Sequence, residues 1–105
     1  TLNKKIKEVA STKNLTIHEG TVITTEQFSF YSDTEHVLAR VPENIDLIGE
    51  EMESFALFHI ANSLDKSAAC ILTIVDSKYK KDFMSIEERQ TSLNNMINLA
   101  LDSIL

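Results

Sequence analysis

The sequence predicts an α/β layered domain. An unbroken apolar run, Ala68-Ala69-Cys70-Ile71-Leu72-Thr73-Ile74-Val75, reads as a strand covered on both faces. Stretches of helical spacing flank it, Glu51 to Leu64 before and Ser85 to Leu105 after. Helix-like and strand-like segments alternate along the remainder of the 105 residues.

Each element has a local reason. Leu2, Ile6, Val9 and Ala10 share one face of a first helix with a lysine-rich outer side, and Asn14 fits its stop. Leu15 to His18 and Thr21 to Thr25 read as strands around a turn at Glu19-Gly20. Phe28, Phe30 and Tyr31 form an aromatic cluster. Asp33 is placed to cap a short helix that Pro42 ends. Ile45 to Ile48 is a short strand. In the helix from Glu51 to Leu64, the residues Met52, Phe55, Ala56, His59 and Ile60 are spaced to share a face that Leu64 extends, and Asp65-Lys66-Ser67 breaks it. Cys70 is expected in the core. Ser77 to Met84 is a polar loop. Ser85 and Glu88 form a capping box for the last helix, whose inward residues are expected to be Leu93, Ile97, Ala100, Leu101 and Ile104.

Bulk properties exclude several classes. A net charge of -6, from 10 basic and 16 acidic residues, disfavours nucleic acid and anionic membranes as partners. No apolar stretch approaches the roughly 20 residues of a spanning helix. With one cysteine there is no internal disulfide, and His18, His36 and His59 lack metal-ligand spacing. A reducing, cytoplasmic setting is expected. Two glycines, Gly20 and Gly49, leave no Gly-rich phosphate loop. A first residue Thr1 rather than Met fits a processed, trimmed or fragmentary product. No linker or repeat divides the chain, so residues 1–105 are expected to be a single, partial domain.

Two places carry candidate chemistry. Asp76 ends the apolar run, and Arg89 lies near the start of the last helix. Glu51-Met52-Glu53 stands where a strand gives way to a helix. Ligands of open α/β sheets bind beyond the carboxyl ends of strands, so both places are candidates to line one cleft. By spacing alone, Asp76 reads first as a turn or cap residue and Glu53 as a solvated first-turn carboxylate.

At these residues the chain resembles the hexameric, bacterial-type purine nucleoside phosphorylases. The matching pieces are Glu51-Met52-Glu53 opening a helix, Ile71 to Asp76 as a strand ending in aspartate, Glu88-Arg89-Gln90-Thr91, and Asn95 to Leu101. Gly20 through Ser32 is similar to the family's aromatic segment. The resemblance implies the C-terminal part of a three-layer α/β/α fold with a mixed central sheet. It implies phosphorolysis of purine ribonucleosides or deoxyribonucleosides to free base and pentose 1-phosphate, in purine salvage. Inorganic phosphate would be co-substrate, with no metal or organic cofactor. The partners implied are a purine nucleoside and phosphate, with either a homo-oligomer (a hexamer in the family) or a complementing N-terminal half; the chain alone would be inactive.

The resemblance also implies roles. Glu53 would accept hydrogen bonds from the ribose 2′- and 3′-hydroxyls, and Met52 would pack under the sugar. Phe28 would lie against the purine, with Phe30 as its rival, and Glu51 would line the base pocket. Asp76 would protonate purine N7 as the glycosidic bond breaks, and Arg89 would help that proton move as the last helix closes over a hinge at 77–84. Val75 stands where the family usually has serine, and Glu50 where it has a small apolar residue. Loop 77–84 also lacks the family's usual histidine and threonine content. Uridine phosphorylase, purine nucleosidase and a non-catalytic remnant or assembly module are the alternative readings.

Overall fold

The computed structural model describes residues 1–27, 33–77 and 82–105. Phe28, Phe30, Tyr31 and Ser32, and Lys78, Lys80 and Lys81 of the polar loop, lie outside the described residues. The elements are α1 (Leu2–Thr12), β1 (Thr21–Thr24), α2 (Thr34–Leu38), β2 (Leu47–Glu51), α3 (Ser54–Ser63), β3 (Asp76–Ser77), β4 (Asp82–Phe83) and α4 (Ile86–Ile104). They fall into two compact units, Thr1–Ile17 with Ser67–Leu105, and His18–Lys66.

In the first unit α1 packs on α4. Thr1 caps α1 by accepting from the Lys4 N–H at 3.3 Å. Its far end closes through Asn14, at φ 53°, with the Leu15 N–H on the Ala10 carbonyl (2.9 Å) and the Asn14 N–H on that of Ser11 (3.2 Å). This is a Schellman motif, and asparagine fills the left-handed position that glycine usually takes. Leu2, Ile6, Val9 and Ala10 are the covered face of α1, as their spacing predicts. Ala10 and Leu99 are fully buried between the helices. Ser103 is buried beside them, with its hydroxyl donating to the Leu99 carbonyl at 2.6 Å.

The covered face of α4 overlaps the one expected at half-buried Leu93 and Ala100 but is centred on other residues. Leu99 and Ser103 are buried, while Ile97, Leu101 and Ile104 are exposed. The helix carries two adjacent apolar stripes; α1 covers one, and the other borders an open apolar groove with Leu2, Ile6 and Ile71. Lys13 and Asp102 form an ion pair beside this packing.

The run 68–75 forms no ladder among the described residues. Its burial nevertheless alternates: Ile71, Thr73 and Val75 are half-buried, and Cys70, Leu72 and Ile74 are exposed. Continuous apolarity predicts cover on both faces, but only one face is covered here, so Cys70 is exposed rather than core. Thr73 and Ser92 donate weakly to the Met96 and Met84 sulfurs, at 3.5 and 3.6 Å. β3 begins where the run ends and pairs antiparallel with β4, Asp76 opposite Phe83.

The second unit is a β-α-β arrangement followed by a helix. β1 and β2 run parallel, with Thr24 opposite Glu51, and α2 lies in the connection. Asp33 caps α2 through the His36 N–H at 3.2 Å. Gly20 sits under Ile48, where a Cβ would come within 2.8 Å of the Ile48 side chain. Residues 15–18 form no strand. α3 ends on a second Schellman motif, with Asp65 at φ 55° and the Lys66 N–H on the Ala61 carbonyl at 2.8 Å. Apart from buried Ser54, its residues are exposed or half-buried, including Phe55 (71 %) and His59, which stack at 6.4 Å.

Candidate active site

The helix expected from Glu51 begins at Ser54 instead. Glu51 belongs to β2, where its carbonyl accepts from the Thr25 N–H at 3.0 Å and extends the parallel ladder. Glu51-Met52-Glu53 is therefore a strand-to-helix turn, the place where an α/β sheet presents side chains to a ligand.

The Glu51 carboxylate is committed to this turn. One oxygen accepts from the backbone N–H groups of Glu53 (2.7 Å) and Ser54 (2.6 Å). The other accepts from the hydroxyls of Ser54 (2.6 Å) and Thr24. A carboxylate offers about four lone-pair sites, so this one is filled. Burial pushes the Glu51 carboxyl up, but the hydroxyls of Ser54 and Thr24 and the N–H groups of Ser54 and Glu53 outweigh it and hold it down at about 2.

Thr24 completes the cap, its oxygen accepting from the Phe55 N–H at 3.2 Å. The N–H groups of Glu53, Ser54 and Phe55, three consecutive donors at the helix start, are thus satisfied by Glu51 and Thr24. Glu53 occupies the N-cap position but makes no side-chain capping bond. Its carboxylate is exposed, and Met52 beside it is 44 % exposed. Next to them Thr25 donates to the exposed Glu50 carboxylate at 2.6 Å.

In the other unit Asp76 is half-buried at the start of β3, and Arg89 is exposed in the first turn of α4. The Met84 N–H donates to the Val75 carbonyl at 2.7 Å, tying the residue before Asp76 to the entry of α4. Ser85 caps that helix through the Glu88 N–H at 3.1 Å and donates to the Glu88 carboxylate at 3.2 Å. A cation in a helix's first turn opposes the helix dipole, so Arg89 gains no local stability there. No ion pair joins Asp76 to Arg89 among the described residues.

The structure thus brings Glu51, Met52 and Glu53 onto one turn, and places Asp76 and Arg89 around the entry to α4. Phe28 lies outside the described residues. Thr24 and Ser54 had not been singled out in the sequence: a lone threonine 27 residues before Glu51 carries no local signal. Among the described residues no cluster of His, Cys, Asp and Glu could hold a metal ion, and no helix is long and apolar enough to cross a membrane.

Parallel strands joined through a helix, with a further helix after the second strand, are an α/β arrangement. Residues 1–105 match the family model of the Phosphorylase superfamily along their whole length, and the chain belongs to that superfamily. It is similar to purine nucleoside phosphorylases of the DeoD type. The protein of Bacillus velezensis is 37% identical over 98% of this chain, that of Dichelobacter nodosus 35% over 90%, and that of Buchnera aphidicola subsp. Acyrthosiphon pisum (strain APS) 33% over 95%. The chain spans 42%, 38% and 42% of the lengths of these relatives.

Proposed function

We propose that the chain supplies the sugar- and base-binding part of a purine nucleoside phosphorylase. A phosphate oxygen attacks C1′ of the nucleoside as the C1′–N9 bond breaks. The bond's electron pair passes to the purine, and Asp76 delivers a proton to N7, so the base leaves neutral. Direct contact between this carboxyl and the base, away from water, favours the transfer. Arg89 assists the proton's movement and stabilises the carboxylate left behind. Glu53 receives the 2′- and 3′-hydroxyls, Met52 packs under the sugar, Phe28 lies on the purine, and Glu51 borders the base pocket.

The observation that carries this reading is the exposed, non-capping carboxylate of Glu53 on a turn fixed by its neighbours. Two acceptor oxygens suit a vicinal diol. The names of the relatives supply the purine. In this reading both units belong to one domain, and the phosphate site lies in a segment corresponding to the part of the relatives that the chain does not span. The assembled enzyme is a cytoplasmic homo-oligomer of purine salvage, with phosphate as co-substrate and no organic cofactor.

The test is base release from adenosine, inosine and uridine, with and without phosphate, by the chain alone and with the complementing segment of a DeoD-type relative. Phosphate-dependent release from purine nucleosides by the complemented chain only is expected. Turnover by the chain alone overturns the incompleteness. Phosphate-independent release identifies a nucleosidase, preference for uridine a uridine phosphorylase, and no release under any condition a non-catalytic module.

A further inference from the structure

We propose that Thr24 and Glu51 are a positioning pair for Glu53: they cap α3 in its place, and so leave its carboxylate open for the sugar diol. The proposal rests on the reading of Glu53 as the diol acceptor and adds what makes that acceptor available.

A helix N-terminus presents N–H groups without intrahelical partners, and the N-cap side chain normally turns back to accept from one of them. Glu53 holds the N-cap position of α3, where the dipole attracts its carboxylate towards the helix. The donors nearest to it are already taken. Glu51 accepts from the Glu53 and Ser54 N–H groups at 2.7 and 2.6 Å, and Thr24 from the Phe55 N–H at 3.2 Å. Thr24 also donates to Glu51, which makes the two side chains one unit across the parallel strand pair. With these donors occupied, the Glu53 carboxylate extends into solvent. The same arrangement fills the lone pairs of Glu51, so where it borders the base pocket it leaves no acceptor for the base and acts through Glu53.

Two measurements separate this proposal from the reading beneath it. The first needs no ligand: amide exchange and the carboxyl carbon shift of Glu53, followed by NMR in the complemented parent protein and in its Thr24→Val, Thr24→Ser and Glu51→Gln variants. Thr24→Val and Glu51→Gln are expected to move the Glu53 carboxyl signal as that side chain turns back to cap, and Thr24→Ser to restore the parent signal. An unchanged Glu53 signal in both loss variants overturns the positioning role whatever the protein does. The second is the affinity ratio of a purine ribonucleoside over its 2′,3′-dideoxy counterpart in the complemented protein. Glu51→Gln and Thr24→Val are expected to reduce that ratio about tenfold. A role in stability alone would lower both affinities together, and an undiminished ratio with a shifted Glu53 signal also overturns the proposal. If the parent protein shows no preference for the diol, Glu53 is not its acceptor and the functional reading falls, while the NMR result still decides whether the pair caps in place of Glu53.

Discussion

The four hydrogen bonds to the Glu51 carboxylate link its protonation to the stability of the turn it organises. Its folded value of about 2 lies below the ordinary 4.5, so the unfolded chain binds the proton more tightly. Stability from this group is therefore fully present above about pH 4.5 and is lost as pH falls towards about 2. Urea unfolding across that window should give a midpoint that drops with acid in the parent protein and drops less in Glu51→Gln. The proposed role of Asp76 is tested at the same scale. If it protonates N7, Asp76→Asn should lower kcat for purine nucleosides by about 10²- to 10⁴-fold in the complemented protein. A nucleoside already methylated at N7 leaves as a neutral base without that proton, so its turnover should fall far less. An equal fall for both substrates would assign Asp76 to binding.

At the level of elements, the helix ends are set by residues that depart from the usual choice. Asn14 and Asp65 stand at left-handed positions, at φ 53° and 55°, where a side chain costs energy and glycine costs none. Asn14→Gly should leave α1 at least as stable, whereas Asn14→Val should cost about 1–2 kcal/mol by thermal unfolding, because a branched Cβ crowds that conformation. Ser85→Ala removes the acceptor of the Glu88 N–H and should cost about 1 kcal/mol. These ends were legible in the sequence because a cap is a local event, written in residues two to four positions apart. The start of α3 was not. Glu51-Met52-Glu53 has helical spacing, but Glu51 is drawn into β2 by its ladder bond to Thr25 and by the hydroxyl of Thr24, and neither partner is a neighbour in the chain.

Across the whole molecule, apolar surface outruns cover. Ala10 and Leu99 are the fully buried apolar residues among those described, while Phe55, Ile60, Leu64 and Ile74 are each more than half exposed. Segment 68–75 keeps the alternating burial of a strand and joins no ladder among the described residues, and its exposed Leu72 and Ile74 invite another chain. The chain alone should therefore self-associate in light scattering, and the complementing segment of a DeoD-type relative should suppress this and protect the amides of 70–75 from exchange. Self-association that persists with that segment bound would mean that these surfaces serve another contact.

Local information settled the α/β class, the caps at Asp33 and Ser85, the stops near Asn14 and Asp65 and the identity of the candidate residues, since propensity, periodicity and capping act over one or two turns of chain. Those residues also carried the likeness to the phosphorylases. Tertiary structure alone decided that Glu51 ends a strand instead of opening a helix, that Thr24 reaches across to it, and which stripe of α4 meets α1. Each depends on the register of one element against another, and register is fixed by hydrogen bonds and packing between residues far apart in sequence.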